Sequence, residues 1–127
     1  MSSLLAPAPD LDRPYQVDSA ALDAFRRDGF VHLRDVLSAD ALNYYGREIS
    51  RLTIALNTQT LPLEERTTYD RAFLQVMNLW QHSATVRAFV FSQTLARIAA
   101  DLLEVDGVRL YHDQSLYKEP SGGIPPA

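Results

Sequence analysis

The chain has 127 residues, of which 46% are hydrophobic, and a formal net charge of −4 from 12 basic and 16 acidic side chains. This length and composition are ordinary for one globular domain with a buried core. The basic residues are scattered, which excludes the footprint of a nucleic-acid or anionic-membrane surface, and the lack of cysteine excludes disulfides and thiolate metal sites. No stretch near the N-terminus resembles a signal peptide or a membrane span, so a soluble, cytoplasmic protein is the default expectation.

Residues 1–16 are rich in proline among small and acidic residues, which predicts a mobile leader that precedes a domain starting near Val17. Asp18 is a favourable N-cap for a short helix that ends at Gly29, since glycine suits the left-handed position after a helix. The residues that follow, 30–34, alternate and are rich in β-formers. They predict a strand.

Ser38 is a favourable N-cap for the longest predicted helix. Its apolar stripe, spaced by three and four residues, consists of Leu42, Tyr45, Ile49, Leu52 and Leu56. Such a stripe predicts packing into the core, with a partner-binding helix as the alternative. Residues 57–70 are polar and predict a loop with one helical turn near Pro62.

An apolar run over residues 73–80 precedes two further predicted helices. Ser83 caps the first, which runs through Phe91, and Ser92 caps the second, which runs through Leu103 and is closed by Asp106–Gly107. Residues 108–118 then alternate and predict a strand that leads into a glycine turn at 121–123.

A metal centre of the facial-triad kind needs two histidines and a carboxylate. None of His32, His82 and His112 is followed two residues later by Asp or Glu, and Asp113 points to the opposite strand face from its neighbour His112. The sequence also lacks a nucleophile elbow and a phosphate-binding glycine motif. It therefore predicts neither a metal ligand nor a catalytic residue.

Three polar residues in otherwise apolar strands remain as candidates: Gln75, Gln114 and Lys118. An amide or ammonium directed inward must find a partner, because burying it unpaired is costly. Two interpretations stay open at this point, a rim in contact with water and a binding site.

Four segments, in this order, resemble the phytanoyl-CoA dioxygenase family. They are Asp28–Leu37, Gln75–Trp80, Ile98–Leu103 and Val108–Gly123, the last reading His-Asp-Gln-Ser-Leu-Tyr-Lys-Glu-Pro-Ser-Gly-Gly at its end. The resemblance implies an α+β fold with an N-terminal helical layer and the first strands of a double-stranded β-helix, or jelly-roll, incomplete here. It also implies Fe(II), 2-oxoglutarate and a small aliphatic or acyl substrate that is hydroxylated.

In the family, the glycine turn leads into Thr-Pro-Trp-His-x-Asp, which supplies two iron ligands, whereas this chain reads Gly123-Ile-Pro-Pro-Ala127. The resemblance therefore assigns no metal ligand here, and it places Lys118, Gln114 and Gln75 at positions that face 2-oxoglutarate or substrate. The first hypothesis is that residues 17–127 are a truncated N-terminal portion of an oxygenase, inactive alone and prone to self-association through exposed strand edges. The alternative is a short non-catalytic interaction module or pseudoenzyme.

Overall fold

A computed structural model of the chain describes residues 8–118, and within that range helices and a small sheet confirm an α+β class. The helices are α1 (Ser19–Asp28), α2 (Ala39–Leu56), α3 (Thr68–Ala72), α4 (Ala84–Val90) and α5 (Gln93–Leu103), with short 3-10 helices at Leu63–Glu65 and Leu79–Gln81. The strands are β1 (Leu74–Met77) and β2 (Gln114–Tyr117). None of the described helices combines the length and the apolar character that crossing a membrane requires.

The predicted N-caps of the four longer helices are confirmed, because each cap side chain accepts a hydrogen bond from a backbone N–H of the first turn. These caps are Asp18, Ser38, Ser83 and Ser92. Gly29 ends α1 with φ of 79°, as predicted. The predicted end of α5 at Leu103 is confirmed, but the residue that closes the helix is Glu104, with φ of 54°, and not Asp106–Gly107. The Glu104 carboxylate pairs with the guanidinium of Arg26 on α1.

Both predicted strands that flank the helices are corrected by the structure. Residues 30–34 form no strand: the hydrogen bond that Arg34 accepts from the arm side comes from a side chain, the Tyr15 hydroxyl at 3.1 Å, and not from a paired backbone. In the other predicted strand, only Gln114–Tyr117 is paired. Its partner β1 is four residues long, and the Asn78 backbone N–H adds one more bond, to the Asp113 carbonyl at 2.9 Å. The φ of 57° at Asn78 then turns the chain away, so residues 108–112 extend past this pairing.

The region predicted to be a loop, residues 57–70, contains more regular structure than its polarity indicates. The turn expected near Pro62 is confirmed as the 3-10 helix Leu63–Glu65. The start of α3 was missed, although the sequence carries a signal for it. The Thr67 hydroxyl accepts from the Asp70 backbone N–H (3.2 Å) and donates to the Asp70 carboxylate (2.7 Å), a reciprocal cap related to the capping box.

Helix α2 packs against two buried apolar clusters, so the core role predicted for its stripe is confirmed for Tyr45 and Leu52. The first cluster contains Leu11, Ala41 and Tyr45, and the second contains Leu52, Leu79 and Val86. Leu42 was assigned to the stripe wrongly, since it is 57% exposed. The small Ala41 faces the core instead and leaves room for Leu11.

Leu11 belongs to the arm, the name used here for residues 8–16, which the sequence places in a mobile leader. In the structure, residues 8–16 form no helix or strand; the arm lies along α2 and α5, and its carbonyls accept hydrogen bonds from Tyr45 and Ser92. Proline fixes an extended backbone, and hydroxyl groups on distant helices satisfy the carbonyls, so order here requires no regular secondary structure. Residues 1–7 of the predicted leader lie outside the described residues.

Candidate functional site

The two strands pair antiparallel, with Leu74 opposite Tyr117 and Met77 opposite Gln114. Residues directly opposite one another project on the same face of a sheet. One face, called the covered face, carries Leu74, Val76, Ser115 and Tyr117. The other, called the open face, carries Gln75, Met77, Gln114 and Leu116.

Hydroxyl groups join the covered face to α2. The Ser50 and Tyr117 hydroxyls are 2.8 Å apart, and the Thr53 hydroxyl lies 2.9 Å from that of Ser115. Thr53 is 1% exposed, so its bond to the strand is shielded from water. These two contacts fix which face of β2 packs on the helices and, by strand alternation, which face remains open.

The open face carries a cluster of polar groups set in an apolar surface. The Gln114 side-chain amide donates to Gln75 Oε1 at 2.6 Å, and the Tyr69 hydroxyl donates to the same oxygen at 3.1 Å. Beside them, Met77 is 49% exposed and Leu116 is 54% exposed. With its oxygen held by two donors, Gln75 keeps its own amide N–H groups for a further acceptor.

The structure brings together two of the three candidates that the sequence singled out, Gln75 and Gln114. Lys118 is exposed and comes directly after β2, and strand alternation assigns it to the same face. The glycine turn at 121–123 lies outside the described residues. Sequence reasoning missed Tyr69, because its position beside Gln75 depends on α3, whose start is marked by the Thr67 cap.

Asp113 has a structural role that the sequence did not predict. Its two carboxylate oxygens accept from the backbone N–H groups of Leu79 and Trp80, each at 2.9 Å. It thereby satisfies the start of the 3-10 helix that follows β1, where free N–H groups favour a negative charge. The Asp113 carboxylate, which follows His112 in the sequence, therefore stabilises this turn through both of its oxygens.

The described side chains do not assemble the iron site that the resemblance implies. Within residues 8–118, no group of three or more His, Cys, Asp or Glu side chains is arranged to hold a metal ion. His32 and His82 are exposed. The Nδ1 atom of His112 is buried without a hydrogen-bond partner in the described part of the chain, and the Tyr111 ring packs 4.9 Å from the imidazole. By contrast, the amide donors of the open face suit a carboxylate-bearing ligand.

No curated protein and no solved structure matches the chain. A family model described as phytanoyl-CoA dioxygenase (PhyH) matches residues 25–126 of the 127. The matched range starts within α1 and includes α2 to α5 and both strands, and it leaves the arm outside. Because the match spans most of its length, the chain belongs to the phytanoyl-CoA dioxygenase family.

Proposed function

We propose that residues 17–127 are the N-terminal portion of an Fe(II)- and 2-oxoglutarate-dependent oxygenase domain. In this proposal the helices cover the outside of a jelly-roll, and the open face of β1 and β2 is directed towards its interior. Family membership supports the class of protein. The unequal sheet faces support the orientation, since α2 packs on one face and amide groups occupy the other.

The observation that carries the proposal is the 2.6 Å contact between the side chains of Gln75 and Gln114 on the open face. Amide N–H groups donate to carboxylate or carbonyl oxygens, and an ammonium group such as that of Lys118 attracts a carboxylate. The three residues therefore suit one wall of a site for 2-oxoglutarate. The substrate proposed for the complete domain is a small aliphatic or acyl compound, hydroxylated in the cytoplasm.

The same proposal holds that this chain alone binds no catalytic iron and performs no turnover. Its support is the sequence, in which none of the three histidines begins a His-x-Asp or His-x-Glu pair. A carboxylate that already bonds two backbone amides, as Asp113 does, is a poor substitute ligand. The test is an anaerobic titration with Fe(II) in the presence of 2-oxoglutarate. We expect no stoichiometric binding, and one tightly bound ion per chain would overturn this part.

The cosubstrate wall has its own test, which does not depend on iron. In spectra of the ¹⁵N-labelled chain, 2-oxoglutarate is expected to shift the side-chain amide signals of Gln75 and Gln114. The shift should be lost in Lys118→Ala and kept in the control Arg109→Ala, which removes another exposed cation near the strand. Signals that do not move in the wild type, or that move equally in Lys118→Ala, would contradict the assignment.

A second candidate, a non-catalytic interaction module or pseudoenzyme, is favoured by the two apolar clusters that the described residues bury around α2. Size-exclusion chromatography and thermal melting separate the two. A monomer with cooperative melting favours the module. Self-association through the sheet favours the incomplete oxygenase, since the outer strand edges and the exposed Met77 and Leu116 would then lack the remaining sheet.

A further inference from the structure

The arm is bound in the manner of an extended peptide in a receptor. Carbonyl oxygens of alternate residues accept hydrogen bonds from hydroxyl groups on the helices. Tyr45 donates to the carbonyl of Pro9 at 3.1 Å, Ser92 to that of Leu11 at 3.1 Å, and Thr94 to that of Arg13 at 2.8 Å. The spacing of two residues is that of an extended chain with one edge facing its receptor.

Side chains of the arm add specificity to these backbone contacts. Leu11 is 7% exposed and fills an apolar pocket formed by Ala41 and Tyr45, with Phe89 beside it. The next residue, Asp12, accepts from the backbone N–H of Gln93 at 2.9 Å, at the first turn of α5. The groove therefore recognises two consecutive side chains of the arm, a leucine and a carboxylate, and contacts the rest of the segment mainly through its backbone.

The receptor surface, called the arm groove, is formed by the side chains of Tyr45, Ser92 and Thr94 and by the start of α5. The Tyr45 phenol is protonated at neutral pH and can donate, and burial raises its pKa further above the ordinary value. Ser92 is 3% exposed and Thr94 is 6% exposed, and both bond to the arm. Without the arm, these buried hydroxyls and the apolar pocket would face water, and the groove would favour a segment of the same chemistry.

Several features make the arm separable from the domain on which it lies. It lies outside the matched range 25–126, and the side chains of Asp12, Arg13 and Pro14 are exposed. It has no part in the second apolar cluster, around Leu79. Proline at positions 9 and 14 restricts the free arm to extended backbone, so less conformational entropy is lost when it binds.

We propose that the arm groove is a recognition site for an extended peptide of the form Pro-x-Leu-Asp-Arg, and that residues 9–13 are its ligand bound in cis. In trans, the ligand is the arm of a second copy, because exchanging an identical element recreates every contact of the closed form. The arm therefore blocks the groove within one copy and links two copies when exchanged. The proposal does not depend on the oxygenase assignment.

The test uses the full chain and a fluorescein-labelled nonapeptide with the sequence of residues 8–16. Leu11→Ala weakens the cis arm without touching the groove, so this variant is expected to bind the peptide with an affinity about tenfold or more above that of the wild type, whose arm competes. A peptide with alanine in place of Leu11 should fail to bind. Adding Thr94→Val to the Leu11→Ala chain should weaken its binding of the peptide. The control Leu61→Ala, a single substitution at an exposed loop residue, should bind the peptide as the wild type does.

A folded Leu11→Ala chain that does not bind the peptide, or that binds a scrambled peptide equally well, overturns the proposal. If circular dichroism shows that this variant is unfolded, Asp12→Ala takes its place. If both are unfolded while Leu61→Ala is folded, the arm is an integral part of the fold and the proposal fails. In sedimentation velocity, a concentration-dependent dimer that excess peptide converts to monomer supports the second copy as the source. A dimer that the peptide does not dissociate, or a monomer at every concentration, contradicts the assignment of a second copy as the source of the ligand.

Discussion

Replacing Asp113 with alanine tests how the strand that carries Gln114 is held against the turn that follows β1. The carboxylate accepts two backbone N–H groups, from Leu79 and Trp80, at 2.9 Å each. Hydrogen bonds to charged groups contribute about 1.5–3 kcal/mol each, and water regains access to part of this site once the side chain is gone. We therefore expect Asp113→Ala to lower the free energy of unfolding by about 2–4 kcal/mol.

Asp113→Asn keeps one oxygen acceptor and turns an amide donor towards the second N–H. It should therefore lower the free energy of unfolding by about half as much as Asp113→Ala does. The matched control is Asp106→Asn, at an exposed position, with an expected change below about 0.5 kcal/mol. Urea unfolding followed by circular dichroism gives the global value. Trp80, the single tryptophan of the chain, reports on the turn itself by fluorescence. An Asp113→Ala chain within about 0.5 kcal/mol of the wild type would refute the reasoning.

Three further predictions test the fold by substitution, each measured by urea unfolding. Gly29→Ala should lower the free energy of unfolding by about 1 kcal/mol, because φ is 79° at this position. Gly46→Ala lies inside α2 with open space around the added methyl group, so it should raise the free energy of unfolding by about 0.5–1 kcal/mol. Equal effects of the two substitutions would contradict this. Thr53→Val should cost about 1–2 kcal/mol by removing the bond to Ser115, and Thr53→Ser, which keeps the hydroxyl, should cost less. Hydrogen bonds from Arg51 and then Ser83 lower the pKa of Glu48 from 4.5 to about 2, so its contribution is complete above about pH 4.5 and is lost as the pH falls towards 2. Glu48→Gln should therefore be less stable than the wild type near pH 6. We expect a difference of only about 1 kcal/mol, because Arg51 is exposed and water screens the ion pair. The stabilities of the two proteins should converge near pH 2, and a difference independent of pH would contradict the assignment.

Local signals predicted the helices well, because a cap and its first turn lie within a few residues of one another. Ser38 and Ser92 each mark a helix start that the structure confirms. Strands were predicted less well, because alternation indicates extended backbone but not a pairing partner. Residues 30–34 have none among the described segments, and residues 108–113 extend beyond the four-residue β1.

The arm shows the same distinction over a longer range. Proline content indicates a lack of regular structure, and that part of the expectation agrees with the backbone of residues 8–16. Their order depends on Ser92 and Thr94, about eighty residues away along the chain. No local pattern in the sequence connects those hydroxyls to the carbonyls of the arm.

At the candidate site, the sequence indicated which residues are candidates but not which of their side chains contact one another. Gln75 and Gln114 stand out as polar residues in apolar strands, but their contact depends on the register of β1 and β2. Tyr69 joins them only because α3 ends one residue before β1 begins. Spacing alone made Asp113 an unsuitable companion ligand for His112, whereas its bonds to Leu79 and Trp80 required the folded turn.

Succinate formation by the purified 127-residue chain tests the central proposal most directly. The chain is incubated in air with Fe(II), ascorbate and 2-oxoglutarate, and succinate is measured against a protein-free control. We predict no succinate above the control, because none of the three histidines of the sequence begins a His-x-Asp or His-x-Glu pair that could hold the iron. Enzymatic succinate formation together with one bound iron per chain would contradict the account.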